Sequence, residues 1–457
     1  MKKVMDANKM CSNMAYLFSE VASIYPITPS STMASNIDFL NQTDKLNLYN
    51  NKVKVVEMQS EAGAAGAMHG ALITGSLATT FTASQGLLLM LPNMYKMAGE
   101  MLPGVIHVAS RTIATHALSI FGDHSDIYAA RMTGFCILAS TNILDVRVNA
   151  CVAHLSSIKG SLPFLHFFDG FRTSHEIHSI EDISDTEFLK LVDYDRINAY
   201  KNRMLNVDKK IQKGLASNED IYFQSVEARN KNYDEMANVV VYYMEQVNRI
   251  TGSHVKPFNY YGDEEAEYII IAMGSVVDTA KLVVESENKK GKKYGVVEVH
   301  LYRPFSSQFL KEALPKSVKR IAVLDRTKEA GSTGEPLYLD CLAALNDLEI
   351  PIIGGRYGLS SKNTTPSDLY SVFMNLEGEF KNHFTIGIED DVTHLSLPKY
   401  TYDLPLDAKE IVVYGFGSDG MVSASKELLH LASVKLNKFV DGYSLYDSKK
   451  SGGVTVN

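Results

Sequence analysis

The chain has 457 residues, room for about three domains at roughly 150 residues each. Apolar residues make up 45% and charged residues 21%, which excludes a disordered, collagenous or disulfide-stapled chain. A net charge of −8 argues against duplex DNA or an anionic membrane as partner.

Four cysteines stand at 11, 136, 151 and 341, and no two form a CxxC. That excludes zinc-ribbon, redox-dithiol and iron–sulfur spacings and fits a reducing compartment, so the expected location is cytoplasmic. No apolar stretch follows the N-terminal MKKVMDANKM, and the run Leu87–Leu91 is far too short for a membrane span.

From residue 53 the hydrophobic pattern alternates. VKVVE (53–57) predicts a strand, SEAGAAGAMHGALITG (60–75) a helix, LATTFTAS (77–84) a strand, and 85–101 a helix containing Pro92. GVIHVASR (104–111) and FCILAST (135–141) predict strands, 145–160 a helix and PFLHFFDG (163–170) another strand. Strands joined by helices at this spacing mean βαβ units in a parallel sheet. Ligands bind at the carboxyl ends of such strands, which puts Ser84, Gln85, Arg111 and Asp169 on the expected ligand face. Residues 185–260 read as a charged, mostly helical excursion with a solvated face. A second alternation follows: strands at 267–275, 294–305, 319–327 and 350–358 with helices between them. A third begins near 408, with EIVVYGFGSDG (410–420), an amphipathic helix to about 434, and a final VTV with no evident strand partner. So short a stretch cannot bury a full core, and it predicts an interrupted domain.

Three constellations carry possible chemistry. In YPITPSS (25–31) with EMQSEAGAAGAMHGA (57–71), Glu61 heads a helix of alanine and glycine that offers a carboxylate little water and lets a flat ligand approach. The plainer alternative is that Ser60 and Glu61 only cap the helix. In HVASRTIATHALSIFGDHSDIYAAR (107–131), Arg111 ends a strand where a guanidinium grips a carboxylate bidentately. Near it, His107, His116, Asp123, His124 and Asp126 match no standard metal spacing, and Asp123 is the expected N-cap of a helix at 125–131. The third, GFGSDG (415–420), is a G-x-G-x-x-G between strand and helix, suited to a diphosphate of NAD, FAD or coenzyme A; SKKSGG (448–453) adds lysines for further phosphates. No GxxxxGK[ST], GxSxG or HExxH is present.

Taken together, YPITPSS, EMQSEAGAAGAMHGAL, TTFTASQGLLLMLPNMYKMAGEMLPGV, ATHALSIFGDHSDIYAAR, PFLHFFDGFRTSHEI, LYRPF, VLDRTKEAG, GGRYGLSSK, HFTIGIEDDVT and YDSKKSGGVTV resemble the pyruvate:ferredoxin (flavodoxin) oxidoreductases, along the whole chain. The resemblance implies an α/β chain: a parallel, doubly wound domain over 1–256 that receives the thiamine diphosphate pyrimidine, a transketolase C-terminal-like domain over 257–405, and the start of a coenzyme A domain over 406–457. It implies that Glu61 hydrogen-bonds the aminopyrimidine and exchanges a proton with it, and that Thr28 and Arg111 contact pyruvate. It resolves the glycine loop toward coenzyme A, with Ser418, Asp419, Gly420, Met421 and Val422 at the diphosphate and Lys450 as a basic contact. Ser423 departs from the family's usual glycine.

The family also has a cysteine-rich ferredoxin-like domain with [4Fe-4S] clusters and a domain holding the diphosphate through Mg²⁺, and neither falls within these residues. By resemblance the activity is oxidative decarboxylation of pyruvate to acetyl-CoA with electrons passed to ferredoxin or flavodoxin, in a homodimer or with a completing subunit, and the chain alone is expected to show no turnover. The alternatives are a non-catalytic remnant, a portion specific for another 2-oxoacid such as 2-oxobutyrate, and, from the glycine loop alone, an NAD-binding module.

Overall fold

Two sheets built from the predicted apolar runs make up most of the molecule. A computed structural model of the chain describes residues 2–456 apart from 209, 405–407, 417–418 and 446–453. The first sheet has seven strands in the order Leu301–Arg303, Cys136–Ser140, Phe164–Asp169, Val105–Ser110, Ala78–Thr82, Val21–Ile24 and Lys54–Glu57. All are parallel except Leu301–Arg303, which runs antiparallel to Cys136–Ser140. Every residue of Val105–Ser110 and Phe164–Asp169 is buried, as expected for parallel strands covered on both faces.

The second sheet has six strands in the order Phe384–Thr385, Ile352–Arg356, Arg320–Asp325, Tyr268–Ala272, Tyr294–Val299 and Phe258–Gly262, with only the last antiparallel. The expected single strand at 294–305 is broken at His300. There the chain leaves the second sheet: the Ala139 N–H donates to the His300 carbonyl at 2.7 Å, and Leu301–Arg303 continues on the first sheet. The two sheets therefore share one continuous segment.

The expectation of a solvated excursion over 185–260 is corrected. Asn230–Thr251 is a helix whose Met236, Val240, Tyr243, Met244 and Val247 are buried, a stripe at helical spacing packed on the helix Ile143–Gly160. That inner helix is buried almost all round because the sheet lies on one side and Ala7–Phe18 and Asn230–Thr251 cover the other. Among the helices described in this region, Glu219–Glu227 alone has no buried residue. The final VTV does find a partner, since Val454–Val456 pairs antiparallel with Tyr414–Phe416. The helix Met421–Val434 packs on Lys2–Asp6, and Asp441–Gly442 adds to the sheet formed by Lys2–Asp6 and Ile177–Glu181.

Three imidazoles meet in the core of the first sheet. His107 Nδ1 lies 3.0 Å from His166 Nδ1, and His107 Nε2 lies 3.1 Å from His154 Nε2. Burial pushes His154 and His166 down to about 3, so both are neutral in the folded chain. An unfolded imidazole titrates near ~6.5, so the unfolded state binds more protons below that pH. Each contribution to stability is whole above about 6.5 and is lost as pH falls toward about 3. His154→Leu should therefore flatten the acid limb: the wild type should lose up to about 1.4 kcal/mol more per pH unit below about pH 6. Urea unfolding of both proteins between pH 7 and about pH 4.5 checks this, and parallel slopes would mean that His154 is not the group that titrates.

Candidate functional site

In the first sheet the strand after Val21–Ile24 lies on one side of it, Lys54–Glu57, and the next, Ala78–Thr82, on the other. This reversal is a topological switch point, and the crevice beyond the carboxyl ends of those strands is where an open α/β sheet binds ligands. The chain places there Tyr25–Ser30 with Thr28, the head of the helix Glu61–Ile73, and the turn into the helix Ser84–Gly99.

Ser60 caps the small-residue helix, its side chain accepting from the Gly63 N–H at 3.1 Å. Glu61 takes no part in that cap. The residue is only 7% exposed, and its carboxylate has no hydrogen bond or ion pair among the described residues. The backbone of Gly86 lies directly against it: a Cβ there would stand 2.7 Å from Glu61 Cγ, 2.8 Å from Glu61 Oε1 and 2.5 Å from Thr82 Oγ1. The Thr82 hydroxyl is itself buried without a partner. A buried carboxylate without a protein partner beside an orphaned hydroxyl is a group held for something else.

Arg111 is also 7% exposed. Its Nη1 donates to the Thr28 carbonyl at 2.9 Å and its Nε to the Ser119 carbonyl at 3.2 Å. Nη2 has no hydrogen-bond partner among the described residues, so part of the guanidinium's donor edge is open to a carboxylate. The side chain of Thr28 is exposed at the same rim.

Asp126 joins these pieces. One carboxylate oxygen accepts from the N–H groups of Ser84 at 2.8 Å and Arg111 at 3.0 Å, and the other from Ile127 at 2.8 Å. Burial pushes it up to about 7 despite those three donors. Asp126 thus fixes the ends of two neighbouring strands relative to each other, and Ser84 is held with φ at 53°. The five acidic and imidazole residues near Arg111 in sequence go to separate partners. His107 joins the core imidazoles, His116 is exposed, and Asp123 binds Thr112 and Ser125. The helix is Ser125–Ala130 with His124 at the cap position, so Asp123 is not its N-cap; it accepts from the Ser125 N–H from one residue further out.

Asp169, expected on the ligand face, is bound internally. In the second sheet the strands flanking Tyr268–Ala272 also reverse direction of winding, and the crevice beyond it is filled by the Asp169 carboxylate. That carboxylate accepts from Ser275 N at 2.8 Å and lies 2.8 Å from Arg326 Nη1 and 2.6 Å from His124 Nε2. Burial alone would raise its pKa, but Arg326 and His124 hold it well below the usual carboxylate range.

In the glycine loop, Ser418 and Lys450 lie outside the described residues. Gly420 has φ 86° and starts the helix carrying Met421 and Val422. The Asp419 carboxylate accepts from Phe416 N at 2.6 Å and Met421 N at 2.9 Å, engaging two of the loop's own N–H groups.

Residues 13–245 match the family described as "Pyruvate flavodoxin/ferredoxin oxidoreductase, thiamine diP-bdg", and residues 266–369 match "Pyruvate:ferredoxin oxidoreductase core domain II". The chain belongs to the pyruvate:flavodoxin/ferredoxin oxidoreductase family. It is 50% identical over 460 residues to pyruvate:ferredoxin oxidoreductase of Moorella thermoacetica, covering 100% of this chain and 39% of that protein. It is 49% identical to pyruvate-flavodoxin oxidoreductase of Klebsiella pneumoniae, covering 99% of this chain and 39% of that protein. The chain therefore spans about two fifths of the length of these relatives. Among solved structures, a 2-oxoglutarate:ferredoxin oxidoreductase from Magnetococcus marinus, with 2-oxoglutarate, coenzyme A and succinyl-CoA bound, superposes with a TM-score of 0.56 at 16% identity. It covers 80% of this chain and 63% of its own, a likeness of fold. Among the described residues no helix is long and apolar enough to cross a membrane.

In this oxidoreductase fold the residues present fit the pyrimidine of thiamine diphosphate. Glu61 offers an unpaired carboxylate, Gly86 admits that side chain against its backbone where a Cβ would clash with it, and the orphaned Thr82 hydroxyl lies against the same glycine. Glu61, Thr28 and Arg111 are the candidates that the sequence names; Gly86 and the joining role of Asp126 emerge only from the structure. The signal for Gly86 was its place in the first turn after a strand end, where a small residue marks close approach.

Proposed function

We propose that this chain supplies the aminopyrimidine half of a thiamine diphosphate site and the carboxylate grip for a 2-oxoacid, pyruvate, in an enzyme that decarboxylates it oxidatively to acetyl-CoA. The observation that carries the reading is the buried, unpaired Glu61 carboxylate against Gly86 at the switch point. When bound, thiamine diphosphate supplies the carbon nucleophile and electron sink that no side chain offers. Glu61 holds a proton at the pyrimidine ring nitrogen and exchanges it as the reaction proceeds. Arg111, anchored by Thr28 and Ser119, presents its remaining N–H groups to the substrate carboxylate, and the exposed Thr28 hydroxyl donates to a substrate oxygen.

We divide the chain into a pyrimidine-binding domain (1–256), a transketolase C-terminal-like domain (257–405) and part of a coenzyme A domain (406–457). Coenzyme A is placed at Ser418, Asp419, Gly420, Met421, Val422 and Lys450. In this reading a diphosphate would take the loop N–H groups of Phe416 and Met421 from Asp419, so coenzyme A binding moves that side chain. The Mg²⁺ that holds the diphosphate, the iron–sulfur clusters and the contact with ferredoxin or flavodoxin are assigned outside these 457 residues. The outer face of the small-residue helix, with Ala62, Gly66 and Gly70 exposed, suits close approach by the chain or second copy that completes the site.

Arg111→Lys in the complete enzyme tests the substrate grip. A lysine cannot make the bidentate contact or hold Thr28 and Ser119 together, so KM for pyruvate should rise by about tenfold or more with kcat much less affected. Steady-state kinetics with pyruvate and a viologen dye read this directly. An unchanged KM would remove Arg111 from the substrate site.

A further inference from the structure

Besides the contacts at Asp169, a turn of the second domain reaches the Arg111 side of the site. After the strand Ile352–Arg356 the chain turns through Gly358, Ser360 and Ser361 with φ of 64°, 52° and 54°. Two side-chain-bearing residues in succession in the left-handed region are uncommon and persist only where surrounding contacts hold them. The Gly358 carbonyl accepts from Arg326 Nε at 3.0 Å, and Ser360 and Ser361 bond to the segment Ser119–Asp123 of the first domain. Ser361 Oγ accepts from the Gly122 N–H at 2.8 Å, and the Ser361 N–H donates to the Gly122 carbonyl at 2.8 Å. Ser360 Oγ lies 2.6 Å from Ser119 Oγ, and the Ser360 N–H donates to Asp123 Oδ2 at 3.3 Å.

The same segment holds the guanidinium. Ser119 presents its hydroxyl to Ser360 and its carbonyl to Arg111 Nε, so one residue is gripped from the second domain on one side and grips Arg111 on the other. The stretch just before it, residues 114–118, is exposed and has little else to fix it. Arg111 has its other anchor on the Thr28 carbonyl, so the angle of its plane depends on where Ser119 stands.

We propose that Ser360 and Ser361 are positioning residues for Arg111: the second domain sets the orientation of the carboxylate-binding guanidinium by clamping Ser119–Gly122. This rests on the reading of Arg111 as the carboxylate grip.

The test uses Ser360→Gly/Ser361→Gly, which keeps the left-handed backbone accessible but removes both hydroxyls, and Ser361→Asn, which tolerates that backbone and retains an acceptor. On this chain, timed modification of arginines by phenylglyoxal with peptide mapping reports how firmly Arg111 is held. The double variant should react at Arg111 at least about fivefold faster than wild type, with the other arginines unchanged, and Ser361→Asn should stay near wild type. In the complete enzyme the double variant should raise KM for pyruvate by about fivefold while kcat stays within about twofold. A clamp that merely glued the domains would lower the melting temperature and leave Arg111 reactivity and KM where they were, which overturns the proposal. A fall in kcat at constant KM would overturn it as well. If Arg111→Lys raises KM and the double variant does not, the clamp alone fails; if Arg111→Lys leaves KM unchanged, the reading of Arg111 fails, and the positioning role with it.

Discussion

Glu61→Gln in the complete enzyme should fold, bind thiamine diphosphate and turn over about 10²–10⁴-fold more slowly, the usual cost of removing a positioned acid–base group. The substitution isolates the proton. Glutamine has nearly the shape of glutamate, so it packs against Gly86 as the native side chain does. The helix cap belongs to Ser60, and no described partner loses a bond when the charge goes. Stability should therefore change little, whereas the ring nitrogen facing Glu61 loses its proton partner. Pyruvate-dependent reduction of a viologen dye, alongside thiamine diphosphate binding and thermal unfolding, separates these effects. Unaltered turnover would mean that the catalytic carboxylate has been misplaced.

The largest stability effect should come from Asp169→Ala. This carboxylate is fully buried and joins the first sheet to the second through Arg326, His124 and Ser275. Removing one partner of a buried ion pair leaves the other charge uncompensated, and Arg326 is only 4% exposed. The expected loss is about 3–5 kcal/mol, read as a lower urea midpoint. Asp169→Asn should lose less, because an amide oxygen can still accept from Ser275. The crevice where the second sheet would bind a ligand of its own is occupied by a side chain from the first, so this domain acts as a brace for the neighbouring site. Its Ser360–Ser361 turn does the same for Arg111 at the next strand end. Equal midpoints for wild type and Asp169→Ala would show that the ion pair does not join the domains.

Strand and helix positions over 53–170 were legible because alternating apolar runs and small-residue punctuation coincide there. The strand at 78–82 and the helix at 61–73, for example, fall inside the predicted spans. The helical character of Asn230–Thr251 was legible but its burial was not, although Met236, Val240, Tyr243 and Val247 recur at helical spacing; the surrounding charges masked the stripe. The break at His300 was invisible because both halves of YGVVEVHLYRPF have strand composition, and only tertiary pairing decides which sheet each half joins. Within the site, Glu61, Thr28 and Arg111 were named from motif residues. The scaffold around them came only with the fold, because Asp126, Gly86 and Ser361 act through backbone groups and close approach, which carry no side-chain pattern. Asp169 shows the limit most clearly: strand-end position predicted a ligand-facing carboxylate, and Arg326, about 160 residues away in sequence, claims it instead.

The direction of Glu61 in the assembled enzyme decides whether it is the pyrimidine's proton partner. The most direct measurement is a crystal structure of the complete protein with thiamine diphosphate bound. The predicted result is a Glu61 carboxylate oxygen within hydrogen-bond distance, about 2.6–3.2 Å, of the pyrimidine ring nitrogen, with the ring seated over Gly86. A pyrimidine bound elsewhere, or a Glu61 turned away to a protein partner, would contradict it.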